Sequence, residues 1–463
     1  MKTRSSPASG SFRSCSPSSA SPCLKSPDPM TLAGKIVTIL GAGRSGRAAA
    51  ALALREGASV PVWDAGAAEA FAGMSEGIAL HPHATPEQAQ PCDLLVASPG
   101  IDTYGPLVAA FAQQAGEVIG EVELAARHYA GRIIGITGTN GKTTTTELIA
   151  RILGHAGLGG TACGNYGLPF SEVLLQTNPP AVVALELSSF QLETIRSLRP
   201  IVAVWLNFAP DHLDRYPGVE AYFAAKLRIF KNQTAADTAV LRAGESLPPL
   251  AAKLVTFSTQ DESAEWFSDG QRICQRGTLV LDMEHDSGLR GLHNAENAMA
   301  ALAACQALDI PLAVMREALH GYSPPPHRCE LVRTLDGVEY LNDSKATNLH
   351  ALESALRSQT RPVILLAGGK EKGLDYSSVL PLLRDKALAC VTFGQIAAPL
   401  MNLFAPAVTC QAVTTLAEAL DVARALAPRG STVLLSPGTS SFDQFAGYEQ
   451  RGNTFRHLVN QLR

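Results

Sequence analysis

GRIIGITGTNGKTTTTELIARILGHAG, residues 131–157, passes from a β-branched apolar run through a glycine-rich turn into a helical pattern. Strand, turn and helix in that order are what a phosphate-binding loop requires. Small residues let backbone N–H groups close on phosphate oxygens, and the helix N-terminus adds favourable partial charge. Within Gly138-Thr139-Asn140-Gly141-Lys142-Thr143-Thr144, Lys142 is expected to reach the β- and γ-phosphates and the Thr143 hydroxyl to hold Mg²⁺. The spacing departs from the general GxxxxGK[ST] pattern: Ile136 stands where its first glycine would, flanked by Gly135 and Gly138. A plain glycine turn with a surface lysine is the blander alternative, and the strand-to-helix setting argues against it.

Phosphoryl transfer needs a metal ligand facing such a loop. Glu186 ends the apolar run AVVALEL and is expected at the same sheet edge, where ligands bind. A second apolar run, IVAVWLN, leads into the polar stretch Asn207 to Tyr216, which contains Asp211, His212 and Arg215. Beyond it, EAYFAAKLRIF reads as a helix whose apolar stripe (Tyr222, Phe223, Leu227, Phe230) takes in Lys226. A snorkelling lysine and a site-facing lysine both fit that stripe, and periodicity does not choose between them.

Outward from the loop the same alternation recurs. KIVTIL, GAGRSG (residues 41–46) and RAAAALALREG read as strand, turn and helix, with Asp64 ending the next strand and Ser98 a later one. The GxGxxG spacing suits a nucleotide diphosphate, NAD or FAD, and a tight turn equally. Toward the C-terminus, VEYLNDS, PVILLAGG and TVLLSPG are strands, each followed by a polar loop, and three such loops at one edge favour a small-molecule site. The reading is an α/β chain of three domains: a Rossmann-like unit at 30–120, a central mostly parallel ATPase-like sheet at 121–324, and a second Rossmann-like unit at 325–463. Residues 1–29, rich in Ser and Pro and without an apolar core, are expected to be a disordered leader with Met30 as the true start.

Composition narrows the class. Across 463 residues, 46% are hydrophobic and the net charge is −4, which suits a well-buried protein and offers no basic face for nucleic acid. The nine cysteines are scattered without a CxxC pair, as in a reducing cytoplasm, and no apolar run is long enough to span a bilayer.

TGTNGKTTT, LELSSFQLE, DHLDRY with AAKLRIF, GLHNAENAMAA, HRCE, NDSKATN and LSPGTSSFDQF occur in this order. Together they resemble the Mur ligase family over essentially everything from Met30 to Arg463. NDSKATN and LSPGTSSFDQF are most similar to its D-glutamate-adding members. The DNPR motif of diaminopimelate-adding members is absent, and alanine-adding members carry His where this chain has Asn140. The resemblance implies ATP-dependent addition of D-glutamate to UDP-N-acetylmuramoyl-L-alanine by a cytoplasmic monomer acting on small molecules only. It implies that Gly138, Thr139, Asn140, Gly141, Lys142, Thr143 and Thr144 hold ATP, with Asn294 and Asn297 near adenine and Arg328 and Asp343 along the nucleotide. It further implies two Mg²⁺ ions, one held by Thr143 and Glu186. The other is served by His212 and by Lys226 carbamylated with CO₂. Ser45, Asp64, Ser98 and Asn165 would receive the UDP-sugar, and Thr347, Lys372, Ser436 and Phe442 the D-glutamate, with Lys370 able to stand in for Lys372. Folylpolyglutamate synthases share the phosphate loop but lack the GAGRSG opening. An NAD-dependent oxidoreductase would have no use for residues 138–143.

Overall fold

The computed structural model describes residues 31–211, 215–322 and 326–463. The leader with Met30, the predicted ligand His212, and Ser323, Pro324 and Pro325 of the turn-rich stretch SPPPHR (323–328), expected as a linker, therefore lie outside the described residues. Three sheets follow one another along the chain. The first contains β1 (Val37–Leu40), β2 (Pro61–Trp63), β3 (Ala79–His81), β4 (Cys92–Ala97) and β5 (Ala115–Gly120), all parallel, in the order β3-β2-β1-β4-β5. Chain direction across this sheet reverses between β1 and β4, which opens a crevice at their C-terminal ends. GAGRSG follows β1 and Ser98 follows β4, so both predicted loops stand at that crevice. The helix Arg44–Arg55 lies close on the sheet because it buries mainly alanines: Ala48, Ala49, Ala50 and Ala53.

The second sheet comprises β6 (Arg132–Thr137), β7 (Gly159–Gly164), β8 (Val182–Glu186), β9 (Val202–Trp205), β10 (Thr238–Arg242), β11 (Lys253–Ser258), β12 (Trp266–Ser268), β13 (Arg272–Gln275) and β14 (Thr278–Asp282). Its order is β14-β13-β12-β11-β10-β9-β6-β8-β7, antiparallel only at β12–β13 and β13–β14. Strands β6, β8 and β9 are buried almost throughout, as their continuous apolar character predicts for a sheet covered on both faces. The helices Lys142–His155 and Leu292–Gln306 cover one face together.

The third sheet comprises β15 (Glu330–Leu335), β16 (Val338–Asn342), β17 (Val363–Gly368), β18 (Ala387–Phe393), β19 (Thr409–Ala412) and β20 (Thr432–Leu435), ordered β15-β16-β20-β17-β18-β19. Only β15 runs antiparallel. Because β16, β20 and β17 are adjacent and parallel, the three polar loops read from the sequence do emerge side by side. The α/β class with mostly parallel sheets is as expected. The second sheet extends further than the reading of strands had it, through β10 to β14, and a helix Leu312–Leu319 follows Leu292–Gln306 before the proline linker.

The chain's three tryptophans sit in the first two sheets. Trp63 stacks on His81 at 3.9 Å, Trp205 pairs in register with Thr137, and Trp266 opens β12. No helix among the described residues is long and apolar enough to cross a membrane.

Candidate active site

The loop after β6 turns through two glycines that no other residue could replace without strain. Gly138 has φ +151° and Gly141 φ +86°, and a Cβ on Gly141 would run into the Asn297 side chain. The loop is strapped to the chain leaving β9. Asn140 N–H donates to Asn207 Oδ1 (2.9 Å), Asn207 Nδ2 donates to Asn140 O (3.1 Å), and Thr139 N–H donates to Asn207 O (3.0 Å). Asn207 is thus a site residue that sequence reasoning passed over, although a polar residue directly after a buried strand was its signal.

Lys142 folds back over the loop and donates to Gly138 O (2.9 Å) and Thr139 O (2.8 Å). Burial holds its ammonium below the usual lysine range, opposed by the charges of Glu186 and Asp211. Lys226, 2% exposed on the helix Val219–Leu227, donates to the same Gly138 carbonyl at 2.7 Å. Its ammonium is pushed well down by burial and then by Lys142. The stripe lysine therefore faces the phosphate loop and not solvent. Glu186, at the end of β8, accepts from Asn165 Nδ2 at 2.7 Å through Oε1, while its buried Oε2 has no partner. An orphaned carboxylate oxygen beside Thr143 fits a hard divalent cation, which prefers charged oxygen ligands. Among the described residues no three His, Cys, Asp or Glu cluster at metal-binding distance, and His212 lies outside them.

Lys142, Asn165, Glu186, Asn207 and Asp211 line a cleft of about 460 Å³ between the second and third sheets, with Lys226 behind the loop and not on its wall. From the central part it takes residues 139–144, Asn165, Glu186, Asp211, Asn294 and Asn297. From the C-terminal part it takes Arg328, Asp343 and Thr347. Arg242 also lines it, outside every quoted motif, as do His293 and Glu296, which lie within GLHNAENAMAA without an expected role. Asn297 accepts weakly from Thr145 Oγ1 (3.4 Å), and Asn294 donates to Arg290 O (2.9 Å). Asp343 accepts from Ser436 Oγ (2.9 Å) and Cys329 N–H (3.2 Å), and burial raises its carboxyl to about 7. Asn348 donates to Asp211 at 3.1 Å and so joins the C-terminal loop to the central one.

The predicted residues are not all gathered. Lys372 Nζ meets Thr347 O at 3.3 Å, so those two adjoin, but Ser436 is buried on Asp343 and Phe442 stands 65% exposed. Asp64 uses both carboxylate oxygens on its own loops, accepting from Ala42 N–H and Gly66 N–H at 2.7 Å each. Ser98 donates to Gly41 O at 3.3 Å, and Ser45 lies half-buried in the first turn of the helix Arg44–Arg55. Asn165 lines the cleft with the phosphate loop and is bonded to Glu186, on a different sheet from Ser45, Asp64 and Ser98. Arg215 bridges the two parts: its guanidinium lies 3.8 Å from the Phe190 ring centroid and donates to Pro99 O (3.1 Å) and Ile101 O (3.2 Å).

The Mur ligase middle domain family model matches residues 136–305, and the Mur ligase glutamate ligase domain model matches residues 327–438. The chain is 39% identical to a UDP-N-acetylmuramoylalanine–D-glutamate ligase of Salinibacter ruber, over 92% of this chain and 97% of that protein. A ligase of the same name from Myxococcus xanthus is 39% identical over 94% of this chain and 100% of its own length. Among solved structures, a UDP-N-acetylmuramate–alanine ligase of Thermotoga maritima superposes with a TM-score of 0.58 at 19% identity, covering 92% of this chain and 99% of that one. A MurF ligase of Thermotoga maritima in complex with ADP gives 0.56 at 16% identity, covering 82% and 97%, and at these identities the likeness speaks for the fold.

Proposed function

The chain belongs to the Mur ligase family, and from that premise we propose that it joins D-glutamate to UDP-N-acetylmuramoyl-L-alanine with hydrolysis of ATP, as a cytoplasmic monomer. The observation that carries the reading is the near full-length identity of 39% to ligases of that name, together with a phosphate loop facing the NDSKATN loop across one cleft. Mur ligases are ATP-dependent and use Mg²⁺.

In this reading the carboxylate of the UDP-sugar attacks the γ-phosphate, ADP leaves, and an acyl phosphate forms. Lys142 gives up the two loop carbonyls for phosphate oxygens, and the N–H groups of residues 139–142 cradle the rest. The D-glutamate amine then attacks the acyl carbon, phosphate departs, and an amide remains. Neither step uses a nucleophilic side chain, so the residues of the cleft position, neutralise and exclude water. Thr143 and Glu186 would hold one Mg²⁺, and His212 with a carbamate on Lys226 a second. When bound, such ions neutralise charge developing on the transferred phosphoryl group. Lys226 suits carbamylation because a buried, uncharged amine can react with CO₂. Arg328 and Asp343 lie along the nucleotide and Asn294 and Asn297 near adenine. Thr347, Lys372, Ser436 and Phe442 serve the amino acid, and Ser45, Asp64, Ser98 and Asn165 the UDP-sugar. Units at 30–120, 121–324 and 325–463 would carry the three substrates.

The test is phosphate release with UDP-N-acetylmuramoyl-L-alanine and a panel of amino acids. D-Glutamate is expected to support turnover, and L-glutamate, L-lysine and diaminopimelate are not. Equal turnover with L-lysine would remove the assignment and leave the family intact.

A further inference from the structure

Arg451 lies in the first turn of the helix Tyr448–Gln461 and is 0% exposed. Its guanidinium makes four hydrogen bonds, all to neutral oxygens. Nε donates to Ser344 Oγ (3.0 Å), Nη2 to Ser344 O (2.8 Å), and both Nη1 and Nη2 to Thr439 O (3.2 Å each). Nη1 also lies beside Gly369, where a Cβ would stand 3.2 Å from it. Ser344, Gly369 and Thr439 belong to the three loops after β16, β17 and β20. One side chain therefore bonds the loops after β16 and β20 to each other and packs against the loop after β17.

The charge is the unusual part. Three arginines that are less buried have bonded carboxylates: Arg127 with Glu117 and Glu123, Arg199 with Asp237, Arg456 with Glu330. Arg451 is the most deeply buried of these, yet it has no carboxylate within ion-pair distance among the described residues. Burial lowers its guanidinium to about 10, with Asp443 and Asp343 acting only at a distance. A buried charge bonded only to neutral dipoles is costly to keep unless something anionic nearby offsets it. The same loops carry three further cations, Lys345, Lys370 and Lys372, and Lys345 lies over the Tyr448 ring at 3.7 Å.

We propose that Arg451 is a positioning residue for the amino-acid substrate. It ties the loops after β16 and β20 together against the loop after β17 and supplies, from beneath them, positive charge that favours the substrate carboxylates. The proposal deepens the reading above and rests on it. Being fully enclosed, Arg451 does not touch the substrate, so its effect passes through the loops. The planar fork matters as well as the charge, since a lysine at the same place reaches one loop but not two.

The experiment measures KM for each substrate in wild type, Arg451→Lys and Arg451→Met, with melting curves to establish folding. Arg451→Met is expected to raise KM for D-glutamate about tenfold or more, with KM for ATP and for the UDP-sugar within about twofold. Arg451→Lys should fall between, with a rise of about threefold. An unchanged KM for D-glutamate in a folded variant, or three KM values rising together, overturns the proposal. If Arg451→Met does not fold, Arg451→Lys decides by the same split. A wild-type protein that releases no phosphate on addition of D-glutamate would instead count against the functional reading, so the two failures are separable.

Discussion

Two ammonium groups, those of Lys142 and Lys226, donate to one carbonyl oxygen, that of Gly138. The Lys142 charge and burial together push the Lys226 ammonium down, and the arrangement is relieved if one of the two is drawn off by an anion or ceases to be a cation. In the proposed reaction nucleotide phosphate would do this for Lys142, and a carbamate for Lys226. Lys226→Ala is accordingly expected to lose about 10³-fold or more in kcat and to regain part of it in acetate, whose carboxylate enters the vacated space. Lys226→Arg should stay inactive because it keeps the positive charge. Steady-state turnover with and without acetate checks this, and a fully active Lys226→Arg would sink the carbamate reading. The phosphate loop itself was legible in the sequence because strand, glycines, lysine and helix are contiguous there. The facing of Lys226 was not legible, because a helical stripe names the buried face without naming what lies against it. Arg451 gave no signal at all. Its partners are 12, 82 and 107 positions away by number (Thr439, Gly369 and Ser344), and no local pattern links them.

Between the first and second sheets runs the helix Glu121–His128, which buries carboxylates where apolar residues would be ordinary. Glu123 caps the turn at residues 196–198, accepting from Arg196 N–H, Ser197 N–H and Leu198 N–H at 2.8–2.9 Å. Glu121 accepts from Ser171 N–H at 2.5 Å, and burial raises its carboxyl to about 7 from 4.5. The folded state thus binds the Glu121 proton more tightly than the unfolded state. Stability falls as pH climbs from about 4.5, where the unfolded carboxyl ionises, to about 7, where the folded one does. The loss amounts to about 3 kcal/mol at most. Glu121→Gln keeps the bond to Ser171 and cannot ionise, so its melting temperature should exceed that of wild type at pH 8 and match it near pH 5. A constant difference across that range would count against Glu121 as the titrating group. The buried parallel strands β1, β4, β6, β8, β9, β17 and β20 announced themselves by runs of Val, Ile and Leu. The sequence was least informative at the sheet margins, where β3, β13 and β19 expose alternate or successive residues and so carry no apolar run.

Across the whole molecule, single side chains join its parts. Arg44 donates to Gly167 O at 3.1 Å, Arg215 to Pro99 O and Ile101 O, and Asn348 to Asp211. Arg215 leaves the ATP side of the structure to hold the backbone of the loop after Ser98, where the UDP-sugar is proposed to bind. Arg215→Ala is therefore expected to raise KM for the UDP-sugar about five- to tenfold and to leave KM for ATP within about twofold. Equal rises in both would mean that Arg215 shapes the cleft as a whole. The succession of three sheets was readable from repeated strand–turn–helix units, but which side chains cross between them was not, since such contacts leave no periodicity in the chain. The placing of the indoles has an optical consequence. Trp63 reports on the first sheet, Trp266 on the second, and Trp205 on the residue just ahead of the phosphate loop, while the third sheet has no such chromophore. Indole emission, excited beyond the tyrosine band, will therefore follow melting of the first two sheets and remain dark to the third, whose unfolding becomes visible through its tyrosines, Tyr340 in β16 among them, and through the circular dichroism of its backbone.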